Sequence, residues 1–85
     1  MNWRVEVRDK ARKACHKIPR KDKKRIEAVL LELASDPFGG DTEKMGGEKN
    51  IWRRRVGSYR LKFELFPDER VIFVYQIERR TSSTY

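Results

Sequence analysis

Trp52-Arg53-Arg54-Arg55-Val56-Gly57-Ser58-Tyr59-Arg60-Leu61-Lys62-Phe63-Glu64-Leu65-Phe66 is the stretch whose reading decides the fold. After Gly57-Ser58 the residue types alternate. Leu61, Phe63 and Leu65 fall on one face, and Arg60, Lys62 and Glu64 on the other. A period of two marks a strand with one buried face. Gly57-Ser58 reads as a tight turn, so residues 50–56 and 59–66 predict a β-hairpin. Pro67-Asp68-Glu69 is a further turn. Val71 to Ile77 then reads as a third strand, apolar on both faces except at Gln76, which predicts an interior place in the sheet.

Towards the N-terminus, residues 39–50 hold four of the five glycines and read as a loop. Ahead of them Ile26, Val29, Leu30 and Leu33 recur at the i, i+3, i+4, i+7 spacing of one helical stripe, with Lys23, Lys24, Glu27 and Glu32 opposite. This helix is expected to start near Lys21 or Asp22 and to stop at Asp36-Pro37 and Gly39-Gly40. Asp9 is expected to cap a shorter helix over residues 10–17, which Pro19 ends. Trp3, Val5 and Val7 alternate with Arg4, Glu6 and Arg8, which predicts a first strand. The order βααβββ predicts a single α+β domain over residues 1–85. It has two layers, a helical hairpin packed on a mostly antiparallel four-stranded sheet.

Composition narrows the function. The chain has 85 residues and a formal charge of +8, with 38% hydrophobic and 40% charged residues. One small domain with an almost wholly ionic surface points to a polyanionic partner. No apolar run approaches the ~20 residues that span a bilayer. No apolar signal-peptide core follows Met1-Asn2-Trp3-Arg4, and the single Cys15 has no disulfide partner within the chain. A cytoplasmic protein with no membrane partner is expected.

The chemistry concentrates on the hairpin. Alternation places Arg53 and Arg55 on one face and Arg54 on the other, beside Trp52. The turn at Gly57-Ser58 brings Arg60 close to the Arg53/Arg55 pair, and Arg79 and Arg80 follow the last strand. No carboxylate near in sequence neutralises all of these cations. Guanidiniums bind phosphate bidentately and keep their charge. They can stabilise the phosphorane formed when an RNA 2′-OH attacks its own phosphate, a reaction that needs no metal. No Cys, His or carboxylate set has metal-ligand spacing, and no cofactor is expected. His16 reads as a surface or helix-packing residue, Cys15 as a small core residue and Glu64 as an ion-pair partner. Lys44, Lys49, Lys62 and Arg80 are the further cations expected to contact nucleic acid. Tyr85 could stack on a base or handle a proton.

The run Trp52 to Leu61 resembles the W-R-x-R-V-G-D-Y-R-hydrophobic signature of the RelE/ParE toxin superfamily. Ile77-Glu78-Arg79-Arg80 with a later tyrosine is similar to its closing element. Ile18-Pro19, the apolar helix stripe, Asp36-Pro37 and Lys44-Met45-Gly46 match its helical hairpin and lead-in. The sequence departs from the pattern at Ser58, Arg54, Met45 and Glu78. The resemblance implies a toxin of a type II toxin–antitoxin pair, RelE-like in fold. Its implied activity is that of an endoribonuclease that enters the ribosomal A site and cuts mRNA without metal. The implied site is Arg53, Arg55, Arg60, Arg79 (or Arg80) and Tyr85, and the implied partners are a cognate antitoxin, the ribosome and mRNA. A ParE-like inhibitor of DNA gyrase and a non-cleaving RNA-binding or ribosome-binding module share the same pattern.

Overall fold

Two apolar periods, about 3.6 residues along the helices and two along the strands, meet in one core. The structure, a computed structural model, describes residues 2–45 and 50–79. Its elements run β1 (Arg4–Val7), α1 (Asp9–His16), α2 (Arg20–Ser35), β2 (Thr42–Lys44), β3 (Ile51–Val56), β4 (Tyr59–Phe66) and β5 (Val71–Arg79). The strands form one sheet in the order β1-β5-β4-β3-β2. Only β1 and β5 run parallel; the other neighbours are antiparallel. The α+β architecture with both helices packed on the sheet matches the expectation, and β5 is interior, between β1 and β4.

The core forms where the alternating residues of β4 and β5 meet the helical stripe. Leu61, Phe63, Ile72 and Val74 from the sheet and Ile26 and Leu33 from α2 are fully buried. Burying each such side chain contributes roughly 1.5–3 kcal/mol. Val29 and Ala11 join them, while Leu30 is half-buried at the margin. The helix face of the sheet therefore carries Val56, Tyr59, Leu61, Phe63 and Leu65, and among the described residues no helix covers the opposite, open face.

Three details correct the sequence reading. The sheet has five strands, because Thr42–Lys44, read as loop, pairs with β3. These residues carry no apolar alternation, and their pairing with β3 is a tertiary event, flanked by Arg55 N–H donating to the Asp41 carbonyl at 3.0 Å and Met45 N–H donating to the Ile51 carbonyl at 2.9 Å. Asp9 is the first residue of α1 rather than its cap. Arg8 occupies the cap position and makes no side-chain capping bond, so Asp9 instead faces the positive end of the helix dipole. α2 begins at Arg20, directly after Pro19, whose φ of -55 suits a helix start.

The β3–β4 turn has two residues, since Val56 pairs with Tyr59. Gly57 sits at φ 58, the sign that a type II′ hairpin turn requires at its first central residue. This turn sets the register of the strands that carry the arginines.

Candidate nucleic-acid interface

Directly opposed residues of an antiparallel ladder share a face, so the register defines the open surface. Arg55 stands opposite Arg60, and Arg60 opposite Glu78. Two residues along, Arg53 stands opposite Lys62, and Lys62 opposite Gln76. The result is a grid of two rows, Arg55–Arg60–Glu78 and Arg53–Lys62–Gln76, across β3, β4 and β5. With strands about 4.8 Å apart and same-face residues about 6.7 Å apart, four cations and one carboxylate share a patch the size of a nucleotide. A bulge between Lys62 and Phe63 shifts the β4–β5 register, so that Lys62 stands opposite Gln76 and Phe63 opposite Val74. Beyond the grid the open face continues as a groove lined by Glu6, Arg8, Ile51, Glu64, Phe73 and Tyr75.

The cluster is less naked than the sequence suggests. Arg53 Nη2 lies 2.9 Å from Glu43 Oε1, and Arg55 Nε lies 3.8 Å from Asp41 Oδ2. Lys62 Nζ lies 3.4 Å from Glu78 Oε1, and Gln76 Nε2 donates to Glu78 Oε2 at 3.3 Å. β2 supplies Glu43, and the residue before it is Asp41, so two of these carboxylates reach the site only through the unexpected strand. Asp41 and Glu43 are exposed, and exposed pairs of this kind contribute about 0–1 kcal/mol. Arg60 differs: its Nε–H is shielded from solvent and meets no acceptor among the described residues.

Arg53, Arg55, Arg60 and Lys62 are thus brought together as expected, and other candidates are not. Arg79 stands opposite Tyr59 on the helix face, its guanidinium 5.9 Å from the centre of the Tyr59 ring. Lys44 stands opposite Trp52, which also faces the helices. Lys49, Arg80 and Tyr85 lie outside the described residues. His16 is exposed and Cys15 half-buried on α1. Among the described residues no three His, Cys, Asp or Glu side chains form a metal-ligand set.

Arg54 is buried on the helix face. Its Nη2 donates to Glu32 Oε1 at 2.6 Å and its Nη1 to the Gly39 carbonyl at 3.1 Å. It ties β3 to α2 and to the glycine loop, which explains a cation in the middle of a strand. Gly40, at φ 66, leaves room for it: a Cβ there would stand 2.5 Å from the Arg54 guanidinium. Tyr59 forms a second tie that sequence reasoning missed, donating from its hydroxyl to Asp22 Oδ2 of α2 at 3.2 Å. Burial, and then the Asp22 carboxylate, push the Tyr59 phenol up from its ordinary value, against an opposing pull from Arg79. Neither tie has a local signal, since both partners lie far off in sequence.

Residues 2–83 match the family described as ParE toxin of type II toxin–antitoxin system, parDE. The chain belongs to this family, within the RelE/ParE toxin superfamily. A protein of Methanocaldococcus jannaschii described as toxin RelE1 is 24% identical over 83 residues, 94% of this chain and 92% of its own. The archaeal RelE–RelB complex from Pyrococcus horikoshii OT3 contains a chain that superposes with a TM-score of 0.86 at 23% identity. The match covers 98% of this chain and 100% of that one. Isolated Escherichia coli RelE gives a TM-score of 0.83 at 18% identity, with 95% and 87% covered. These structural matches establish a shared RelE-like fold. The family establishes a toxin of a toxin–antitoxin system.

Proposed function

We propose that this toxin is a ribosome-dependent mRNA endoribonuclease that cuts in the A site by attack of a 2′-OH on the adjacent phosphate. The observation that carries the reading is the grid on the open sheet face, with Arg55 opposite Arg60 and Arg53 opposite Lys62. Arg55 and Arg60 would clamp the scissile phosphate and stabilise the added charge of the phosphorane. Arg53 and Lys62 would hold the neighbouring phosphate and keep the strand in line. Of the two candidate closing arginines this reading takes Arg80, because Arg79 faces the helices. Tyr85 would stack on the nucleotide. A cognate antitoxin is the expected partner, as relatives of this fold occur in RelB–RelE complexes. Cytoplasmic action follows from a ribosomal target. No helix among the described residues is long and apolar enough to cross a membrane.

Primer extension on translated mRNA after brief induction tests the reading. The parent should produce codon-phased breaks, and Arg60→Ala should lose them together with growth arrest. The family matched is described as ParE toxin, and a ParE-like toxin that inhibits DNA gyrase is the second reading. Supercoiling assays with purified protein separate the two. Unbroken mRNA together with blocked supercoiling would replace the ribonuclease reading.

A further inference from the structure

The cleavage reading leaves a proton unassigned, because a guanidinium does not serve as a base near neutral pH. We propose that Glu78 is the general base of the reaction and that Lys62 is its acid partner. The inference rests on the ribonuclease reading and goes beyond it by assigning both proton transfers.

Position singles out Glu78. Among the described residues it is the only carboxylate within the grid, directly across the ladder from Arg60, the residue that stands opposite Arg55. A phosphate held between Arg55 and Arg60 would therefore lie about one strand spacing, 4.8 Å, from Glu78, close enough for a carboxylate to meet the adjoining 2′-OH. The other carboxylates are placed differently. Asp41 and Glu43 sit at the outer β2 margin on Arg55 and Arg53. Glu64 stands opposite Ile51 and lines the neighbouring groove. Glu78 is also held at both oxygens. Lys62 Nζ approaches Oε1 at 3.4 Å, and Gln76 Nε2 donates to Oε2 at 3.3 Å. Its side chain is 37% exposed, so it is oriented yet reachable.

The charged groups that face Glu78 from the neighbouring strands are cations. Arg60 and Lys62 face it from β4, with Arg55 and Arg53 one strand further on β3. Gln76 flanks it on β5. In the step proposed, the Glu78 carboxylate takes the proton of the 2′-OH as the 2′-oxygen bonds to phosphorus. The bond from phosphorus to the 5′-oxygen breaks, and the leaving 5′-oxygen takes a proton from the Lys62 ammonium. The products are a 2′,3′-cyclic phosphate and a 5′-hydroxyl. The proton now on Glu78 passes to the neutral Lys62 amine beside it, which restores the ion pair. No proton is gained or lost over the cycle, and no other reagent is consumed.

Single-turnover cleavage of mRNA on programmed ribosomes, measured across pH, tests the assignment. Glu78→Gln keeps the shape and the Gln76 contact but cannot accept the proton. It should lower the rate by on the order of 10²–10⁴-fold and abolish the fall in rate on the acid side of the parent profile. Binding to ribosomes should not weaken, because a negative charge has been removed. Lys62→Arg keeps the positive charge without a transferable proton and should also lower the rate while binding persists. Glu78→Asp, checked for folding by its thermal melt, should retain the acid-side dependence at reduced rate. The assignment fails if Glu78→Gln cuts within about threefold of the parent with the same acid-side fall. If the parent itself cuts no mRNA, the ribonuclease reading fails and takes this inference with it.

Discussion

Arg54 and its two neighbours show how one residue type does different work on the two faces of a strand. Arg53 and Arg55 face solvent and the grid, whereas Arg54 is 6% exposed and donates to Glu32 and to the Gly39 carbonyl. A buried guanidinium that loses its partner keeps its desolvation cost. Glu32→Ala should therefore destabilise the chain by about 1–3 kcal/mol in urea unfolding, more than is usual for a residue whose own side chain is exposed. Arg55→Ala should leave the unfolding midpoint nearly unchanged, since its contact with Asp41 is 3.8 Å long and exposed. It should lower cleavage by on the order of 10²–10³-fold, the loss expected when one donor to a developing oxyanion is removed. Unfolding and cleavage assays on the same two variants separate the faces, because the two effects should not follow one another.

Turns and edges decide what those residues can reach. Gly57 at φ 58 closes the hairpin with two residues and so fixes Arg55 opposite Arg60. An L side chain in the left-handed region costs about 1–2 kcal/mol, so Gly57→Ala should lower the free energy of unfolding in urea by that amount. β2 brings Asp41 and Glu43 against Arg55 and Arg53, where under the proposed function they would compete with a bound phosphate. The double variant Asp41→Asn, Glu43→Gln should bind RNA several-fold more tightly in filter binding, as each exposed pair is worth up to about 1 kcal/mol. The tie between β4 and α2 predicts a pH effect. The folded state raises the Tyr59 phenol, so it favours the neutral form more than the unfolded chain does. That stability is fully present below about pH 10 and is lost as pH rises through the folded value. Urea midpoints between pH 8 and 11 should fall at the alkaline end for the parent, and less steeply for Tyr59→Phe, which has no phenol proton to lose.

Over the whole molecule, a charge of +8 on 85 residues predicts that binding to RNA, if the proposed function holds, will be salt-dependent. Ribosome or RNA affinity plotted against salt, both as logarithms, should be linear. Arg53→Ala or Lys62→Met should each flatten the slope by about 0.7, the change per phosphate contact on a single strand. A substitution on the helix side, such as Lys44→Met, should leave the slope of RNA binding within the grid unchanged.

The strands, the helical stripe and the hairpin are local periodic features, and short-range sequence suffices to read them. For the same reason the split of Arg53 and Arg55 from Arg54, and the approach of Arg60 to that pair, follow from a period of two and a two-residue turn. The rest depends on pairings that leave no periodic trace. Thr42–Lys44 becomes a strand only because β3 offers an edge. Glu32 meets Arg54 across 22 residues of chain, and Asp22 meets Tyr59 across 37. Arg79 turns to the helices, because its register opposite Tyr59 puts it on that face. The cationic face was thus legible from alternation alone. Its carboxylates, and the place of Glu78 in the row with Arg55 and Arg60, were decided by tertiary structure, because only the packed sheet sets which strands lie side by side and in what register.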